Sequence, residues 1–188
     1  QAIFAEGSDT LLGFITASRD ITERKHAQDA LLQKMEEERV FQTYLKILQE
    51  VNLELTNIDW LDDFYRRAIE LGLERLGFER LGLLRYDAQS NTAVGTYGTD
   101  AQGKVVAEPH IRIEAAHHTG ILQRALELND HIYFEEHAPL YSDLQFIGYG
   151  WNAISILRQG QQVLGWLCAD NGVAQQPLVQ AQLEILAL

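Results

Sequence analysis

The sequence has few sulfur-containing residues and few cationic side chains. The first shortage excludes internal disulfides, and the second disfavours anionic partners. Its 188 residues include one cysteine and one methionine. With Cys168 alone there can be no internal disulfide, and a reducing, cytoplasmic location is expected. Lys and Arg total 15 against 27 Asp and Glu, which gives a formal net charge of -12. So acidic a chain repels phosphate backbones and anionic lipid, so neither nucleic acid nor direct membrane contact is expected.

Long apolar runs and catalytic signatures are also missing. No run approaches the roughly 20 residues that cross a bilayer. With neither a signal peptide nor an initiator methionine, the chain is expected to be a piece of a longer protein, whose membrane anchor could lie elsewhere. It has no phosphate-binding glycine loop, Gly-x-Ser-x-Gly elbow or second cysteine, so no catalytic residue is predicted. What is present, 46% hydrophobic and 22% charged residues, is typical of a globular domain.

The stretch from Asp20 to Asn57 contains no proline or glycine and predicts a long helix. It opens on a capping box, Asp20-Ile21-Thr22-Glu23. A heptad seam of apolar residues follows at Phe41, Tyr44, Leu48, Val51, Leu55 and Ile58. Upstream of it lies a thinner apolar stripe at Ala27, Ala30, Leu31 and Met35. The phase of the two patterns differs, and the change falls near Glu38. The helix either packs on its own domain or forms a parallel two-chain coiled coil that continues into a domain-packed helix. The second interpretation is favoured and predicts a homodimer through this N-terminal helix.

The remaining pattern predicts an α+β fold, with helices packed on a mostly antiparallel sheet. The predicted elements are a hairpin over 2–19, a helix over 60–76 that Gly77 ends, strands over 78–86, 92–97 and 105–113 (weakened by Pro109), a helix over 115–128, a short strand over 132–134, an irregular segment over 137–150, a hairpin of 151–157 and 163–169, and a helix from about 178.

Aromatic side chains with polar ends concentrate before the last hairpin. They suit either the wall of a small-molecule pocket or a core beneath a long loop. The candidate ligand-binding residues are Tyr133, Phe134, Tyr141, Phe146, Tyr149, Trp151 and, secondarily, Asp170. Asp170-Asn171-Gly172 is more simply a strand-exit turn, and Cys168 a small buried side chain.

The six histidines do not predict a metal or haem site. His131 and His137 bracket two carboxylates, but their spacing matches no standard ligand motif. His117 and His118 are adjacent, so a regular element cannot direct both at one site.

The first part of the chain resembles the end of a PAS domain. The residues that carry this likeness are Gly13-Phe14-Ile15 and the run Arg19-Asp20-Ile21-Thr22-Glu23-Arg24-Lys25. The resemblance implies that residues 1–21 are the last hairpin of that domain and that 22–40 are a signalling helix. Only this hairpin is present, so no PAS sensor pocket is implied.

Residues 41–188 resemble a GAF domain of sensor histidine kinases and related signalling proteins. The carriers are the two leading helices, Gly77-Phe78-Glu79-Arg80, and Leu164-Gly165-Trp166-Leu167-Cys168-Ala169-Asp170-Asn171 followed by Pro177-Leu178. The resemblance implies a central antiparallel sheet with a ligand cavity on one face, beneath the aromatic segment. It also implies dimerisation through terminal helices and a kinase or cyclase output domain in cis.

The chain departs from the chemically specialised members of that family. Cys168 is followed by Ala169 and not by the histidine of many bilin-binding members, the cyclic-nucleotide pattern is absent, and methionine-sulfoxide-reducing members need more than one cysteine. Neither bilin nor haem is therefore expected, and the ligand stays unknown. The expected function is a non-catalytic sensory module that binds a small ligand or relays a conformational signal through dimeric helices. The alternatives are a chromophore- or haem-binding sensor and a ligand-free dimerisation spacer.

Overall fold

The computed structural model describes residues 2–4, 11–14, 22–114, 124 and 132–188. The chain divides into two compact units, Gln1–Arg39 and Val40–Leu188. In the first, β1 (Ala2–Phe4) pairs antiparallel with β2 (Leu11–Phe14). The helix α1 (Thr22–Thr56) begins in this unit and runs into the second. The predicted hairpin and long helix are thus both present, while Asp20 and Ile21 of the predicted capping box lie outside the described residues.

The second unit is built on one antiparallel sheet of seven strands. Two further helices, α2 (Leu61–Leu76) and α3 (Gln180–Leu186), complete the α+β fold that the sequence predicts. The order across the sheet is β5-β4-β3-β9-β8-β7, with β6 also paired to β4. The strands are β3 (Arg80–Asp87), β4 (Thr92–Thr99), β5 (Val105–Ala107), β6 (Arg112–Glu114), β7 (Ile132–Ser142), β8 (Gln145–Gln159) and β9 (Gln162–Asp170).

Local signals account for the bounds of α2. Gly77 ends it in the left-handed region (φ 71°), and its N–H donates to the carbonyl of Gly72. Asp62 and Asp63 in the first turn and Arg75 in the last turn complement the helix dipole. Gly72 lies where a Cβ would collide with the Leu81 side chain, so the helix approaches β3 closely at that point.

The prediction that residues 137–150 are irregular is wrong, because β7 and β8 form a long hairpin through them. The strands are joined by Asp143 and Leu144, whose φ angles of 50° and 62° are those of a tight two-residue turn. Leucine is rare in that conformation, so the turn lacks the Asp-Gly or Asn-Gly pair that usually indicates such a hairpin. Pro139 also resembles a loop residue, but β7 is an edge strand, where proline is tolerated.

Two other predictions change in detail. The strand predicted over 105–113 is split into β5 and β6 on either side of Pro109. The predicted short strand at 132–134 is the beginning of β7. The helix predicted over 115–128 lies outside the described residues, apart from Arg124.

The core lies on both faces of the sheet. One face packs against the helices through Leu81, Leu83 and Ala169, and the other carries Leu84 and Trp166. Part of the seam in α1 also packs on the helix-covered core, namely Phe41, Tyr44 and Leu48, and Val51 is buried. This stretch therefore packs on its own domain. Upstream, Leu31, Leu32 and Met35 are about 60% exposed.

None of the described helices combines the length and the apolar character needed to cross a membrane.

Candidate ligand cavity

A cavity of about 770 Å³ lies on the face of the sheet opposite the one that packs against α2 and α3. Its lining includes Leu84 and Ile154, which belong to the core cluster on that face. A cavity of this size is in the range that holds small organic ligands and cofactors.

Strand pairing arranges the cavity face in parallel rows. Alternate side chains along a strand point to the same face of the sheet. Residues that are paired on neighbouring strands lie side by side on that face. One row is charged and polar and consists of Arg80, Asp170, Asn152 and Glu135. The next row consists of Gly82, Cys168, Ile154 and Tyr133, and the third of Leu84, Trp166 and Ile156. The floor therefore changes from charged at one end to apolar at the other.

Arg80 and Asp170 form a buried ion pair at the charged end. Nη1 of Arg80 lies 3.3 Å from Oδ1 of Asp170, and the two side chains are 6% and 14% exposed. Nη2 of Arg80 donates to the backbone carbonyls of Tyr141 (2.9 Å) and Thr99 (3.4 Å). Burial raises the pKa of Asp170, while Arg80 and the N–H of Gly172 oppose the shift. The guanidinium is thus held by contacts to three strands.

Glu108 projects over the neighbouring end of β4. A Cβ at Gly98 would collide with its carboxyl group, so only glycine leaves room for this arrangement. Glu108 is half-buried and lines the cavity. Burial raises the pKa of its carboxyl and nearby Asp143 adds to the shift, whereas Arg80 and His110 oppose it.

The middle row is built from small side chains. A Cβ at Gly82 would meet nothing within 4 Å, so this glycine leaves open space in the cavity floor. Cys168 beside it is partly exposed, onto the cavity. Burial, followed by the charges of Asp170 and Glu108, raises the pKa of the Cys168 thiol to about 12. The thiol is therefore protonated and weakly nucleophilic at neutral pH.

The structure separates the residues that the sequence proposed as pocket candidates. Tyr141 and Asp170 line the cavity. Trp151 is buried in the core on the helix-covered face. Tyr133 packs against the core on the cavity face and donates a hydrogen bond to Glu135 (3.0 Å), and Phe134 is 40% exposed.

The other two aromatic candidates belong to an exposed series of stacked rings. Tyr141 contacts Phe146 edge-on (centroids 6.1 Å apart), and Phe146 contacts Tyr149 in the same way (5.2 Å). Tyr149 in turn stacks on His137 (4.8 Å). Phe146 and Tyr149 are both more than half exposed.

Sequence reasoning missed Arg80, Gly82 and Glu108 as cavity residues. Arg80 had one usable signal, since it is a charged residue at the head of the apolar run Leu81-Gly82-Leu83-Leu84. Glu108 had no such signal in the sequence, because only the fold of its loop brings its carboxyl over the sheet.

A network of hydrogen bonds leads away from the cavity at the end of β9. Oδ1 of Asp170 accepts from the N–H of Gly172 (2.9 Å). Oδ1 of Asn171 accepts from the N–H of Trp151 (3.0 Å), and its Nδ2 donates to the carbonyl of Gln176 (3.0 Å). The predicted strand-exit turn is present, and its asparagine also holds β8 to the following loop.

Glu79 ties the same loop to the beginning of β3. Its carboxylate accepts hydrogen bonds from the N–H groups of Val173 (3.2 Å), Ala174 (2.7 Å) and Gln176 (2.6 Å). In α3, Nε2 of Gln182 donates to the carbonyls of Leu76 and Gly77 at the end of α2 (3.0 and 3.1 Å). Hydrogen bonds therefore tie the charged end of the cavity to the loop that leads into α3, and tie α3 to the end of α2.

In the part of the chain that the structure describes, no group of three or more His, Cys, Asp and Glu side chains is arranged to hold a metal ion.

No known family profile and no curated protein matches this sequence. Solved structures do match it. The GAF domain of a phosphoenolpyruvate-protein phosphotransferase from Coxiella burnetii has a TM-score of 0.63 at 14% identity, covering 78% of this chain and 88% of that one. Residues 122 to 287 of a methyl-accepting chemotaxis protein have a TM-score of 0.57 at 13% identity, covering 72% and 87%. A free methionine-R-sulfoxide reductase from Neisseria meningitidis, solved with its substrate, has a TM-score of 0.58 at 16% identity, covering 78% and 85%.

The chain therefore has a GAF-like α+β fold. At these identities the likeness establishes the fold alone, and the three proteins themselves differ in role.

Proposed function

We propose that this chain is a non-catalytic sensory module of a multidomain signal-transduction protein, a sensor histidine kinase or a related protein with a cyclase output. In this proposal a GAF domain over residues 41–188 binds a small ligand in its cavity. The observation that carries the proposal is that hydrogen bonds tie the charged end of the cavity to the loop before α3, and tie α3 to the end of α2.

A sensor needs two states that its ligand distinguishes. Asp170 contributes to the cavity floor and also bonds Gly172 in the loop that leads to α3. Arg80 and Glu79 are consecutive, yet Arg80 faces the cavity while Glu79 holds that loop. A ligand that moved the Arg80–Asp170 pair would therefore act on the loop and on α3.

The segment before the GAF domain supports a relay role. The Arg-Asp-Ile-Thr-Glu-Arg-Lys motif resembles the end of a PAS domain, and α1 follows it without proline or glycine. We propose that 1–21 are the hairpin of that domain and 22–40 the signalling helix. The exposed Leu31 and Met35 of this helix then form a dimer seam with a second copy.

Three alternatives are weaker. A covalently attached chromophore needs a reactive thiol, but burial raises the pKa of Cys168. A reductase of the kind found among the fold neighbours would have to work with one cysteine. A ligand-free dimerisation spacer does not account for a cavity of about 770 Å³.

Ligand binding is testable with a cavity-filling variant. The purified protein is examined by native mass spectrometry for a retained small molecule, and by thermal shift with fractionated extracts of bacterial cells. We expect a retained mass or a reproducible rise in melting temperature, because a ligand that binds only the folded state stabilises it.

Gly82→Leu places a side chain in open cavity space and should abolish the shift while the protein still folds. Arg85→Leu adds a leucine to the same strand at an exposed position and serves as the matched control. No retained mass and no shift with the wild type would favour the spacer. A shift that survives in Gly82→Leu would exclude this cavity as the binding site.

A further inference from the structure

The charges around the cavity leave one half-buried group without a counter-ion. Most charged lining residues have a partner: Arg80 pairs with Asp170, Arg124 lies 3.8 Å from Glu135, and Oδ1 of Asp143 lies 2.7 Å from Nε2 of His110. Arg112 is exposed, so water solvates it. Among the described residues, the carboxyl of Glu108 has neither an ion pair nor a hydrogen bond, although it is half-buried.

Arg80 neither donates a hydrogen bond to the carboxyl of Glu108 nor forms an ion pair with it. Its Nη2 is committed to two backbone carbonyls and its Nη1 lies against Asp170. Nε and Nη1 make no hydrogen bond, but both are buried, and a Cβ on Gly172 would collide with Nη1. An anionic ligand could not reach these two groups from the cavity, and it would be repelled by the unpaired carboxylate of Glu108.

A ligand cation that carries N–H groups is attracted to this end of the cavity. It would supply the charge and the donors that Glu108 lacks, and charge-assisted hydrogen bonds of this kind are short and strong.

The rest of the cavity suits an apolar body. Gly82 leaves the floor open, and the carboxyl of Glu108 occupies the space above Gly98, the residue paired with Gly82. Beyond them the lining is aliphatic and consists of Leu84, Ile111, Ile113 and Ile154. A ligand with its charge at one end and a branched hydrocarbon at the other would match this gradient.

Resting on the ligand-binding role proposed above, we infer that this cavity selects small organic amines, with the ammonium group on Glu108 and the apolar body over the aliphatic lining.

The test compares three compounds with one hydrocarbon body and different head groups: 4-methylpentan-1-amine, 4-methylpentan-1-ol and 4-methylpentanoate. Binding is measured by isothermal titration and by thermal shift at neutral pH and moderate salt. The amine should bind about ten-fold or more tightly than the alcohol, the ratio expected for one charge-assisted hydrogen bond. The carboxylate should bind more weakly than either.

Glu108→Gln should weaken amine binding about ten-fold or more and leave the alcohol unaffected. Glu136→Gln removes the same charge from an exposed position on β7 and should bind the amine like the wild type, which excludes a general attraction to an acidic protein. Equal binding of amine and alcohol, unchanged binding by Glu108→Gln, or no amine binding would each overturn the inference. Ligand binding as such is judged separately, by the retained mass and by Gly82→Leu.

Discussion

Replacing Asn171 by alanine removes the side chain that connects β8 to the loop before α3. Asn171 is 6% exposed. Its Oδ1 accepts from the backbone N–H of Trp151 at 3.0 Å, and its Nδ2 donates to the carbonyl of Gln176 at 3.0 Å. In the variant the Trp151 N–H is left buried without an acceptor. The carbonyl of Gln176 keeps one donor, the indole N–H of Trp151 at 2.9 Å.

The expected loss follows from these two bonds. An unsatisfied buried donor costs about 1–3 kcal/mol, and losing a bond whose acceptor keeps another partner costs about 1 kcal/mol. The free energy of unfolding should therefore fall by about 3 kcal/mol. For a domain of this size that corresponds to a melting temperature lower by roughly 6–12 °C.

The assay is urea denaturation followed by tryptophan fluorescence, with a thermal scan in parallel. Asn152→Ala is the matched control, because it makes the same chemical change one residue beyond Trp151 at an amide whose Oδ1 accepts no hydrogen bond among the described residues. The control should lose less than about 1 kcal/mol. If Asn171→Ala melts within about 2 °C of the wild type, or if both variants lose equal stability, the network does not hold this loop.

Four further outcomes are expected. Burial raises the pKa of Glu108 in the folded state, so its contribution to stability is present at low pH and is lost as the pH rises through the folded pKa. Glu108→Gln should therefore be more stable than the wild type to urea at pH 7, with the difference vanishing toward pH 4; a difference that grows on acidification would contradict the assignment. Cys168, whose thiol pKa is raised to about 12, should react with iodoacetamide at pH 8 at least about a hundred-fold more slowly than in the urea-unfolded chain, by mass spectrometry. The wild type should be a dimer by light scattering, and Leu31→Glu with Met35→Glu should be a monomer; a wild-type monomer at micromolar concentration would exclude the seam. In the longer parent protein, seven residues inserted after Arg39 should preserve signalling because they restore the heptad face, whereas four should lock the output; equal responses would make α1 a passive linker.

The individual elements of this fold were largely predictable because their signals are local. The absence of proline and glycine predicted α1, and Gly77 predicted the end of α2. The turn around Gly160, which has a φ of 60°, predicted the hairpin of β8 and β9. The hairpin of β7 and β8 was missed because the second position of its turn, where glycine is usual, is occupied by Leu144.

The candidate site was predictable only in part. Asp170 was found because it lies in a recognisable strand ending, and Tyr141 because it is aromatic. Trp151 was placed in the pocket because it is aromatic, but strand alternation directs it to the helix-covered core. Trp151 begins the strand predicted over 151–157, but alternation along one strand does not tell which face of the sheet carries the cavity.

The sequence by itself determined the acidic character of the chain, the order of its helices and most of its strands, and the single cysteine that restricts its chemistry. Only the tertiary structure decided what faces the cavity. Arg80 and Asp170 are far apart in the chain, and strand register makes them neighbours. Glu108 reaches the cavity because a loop crosses a glycine at 98. Short-range interactions specify helices and turns, whereas pairing between distant strands depends on the whole core, so no local pattern reveals it.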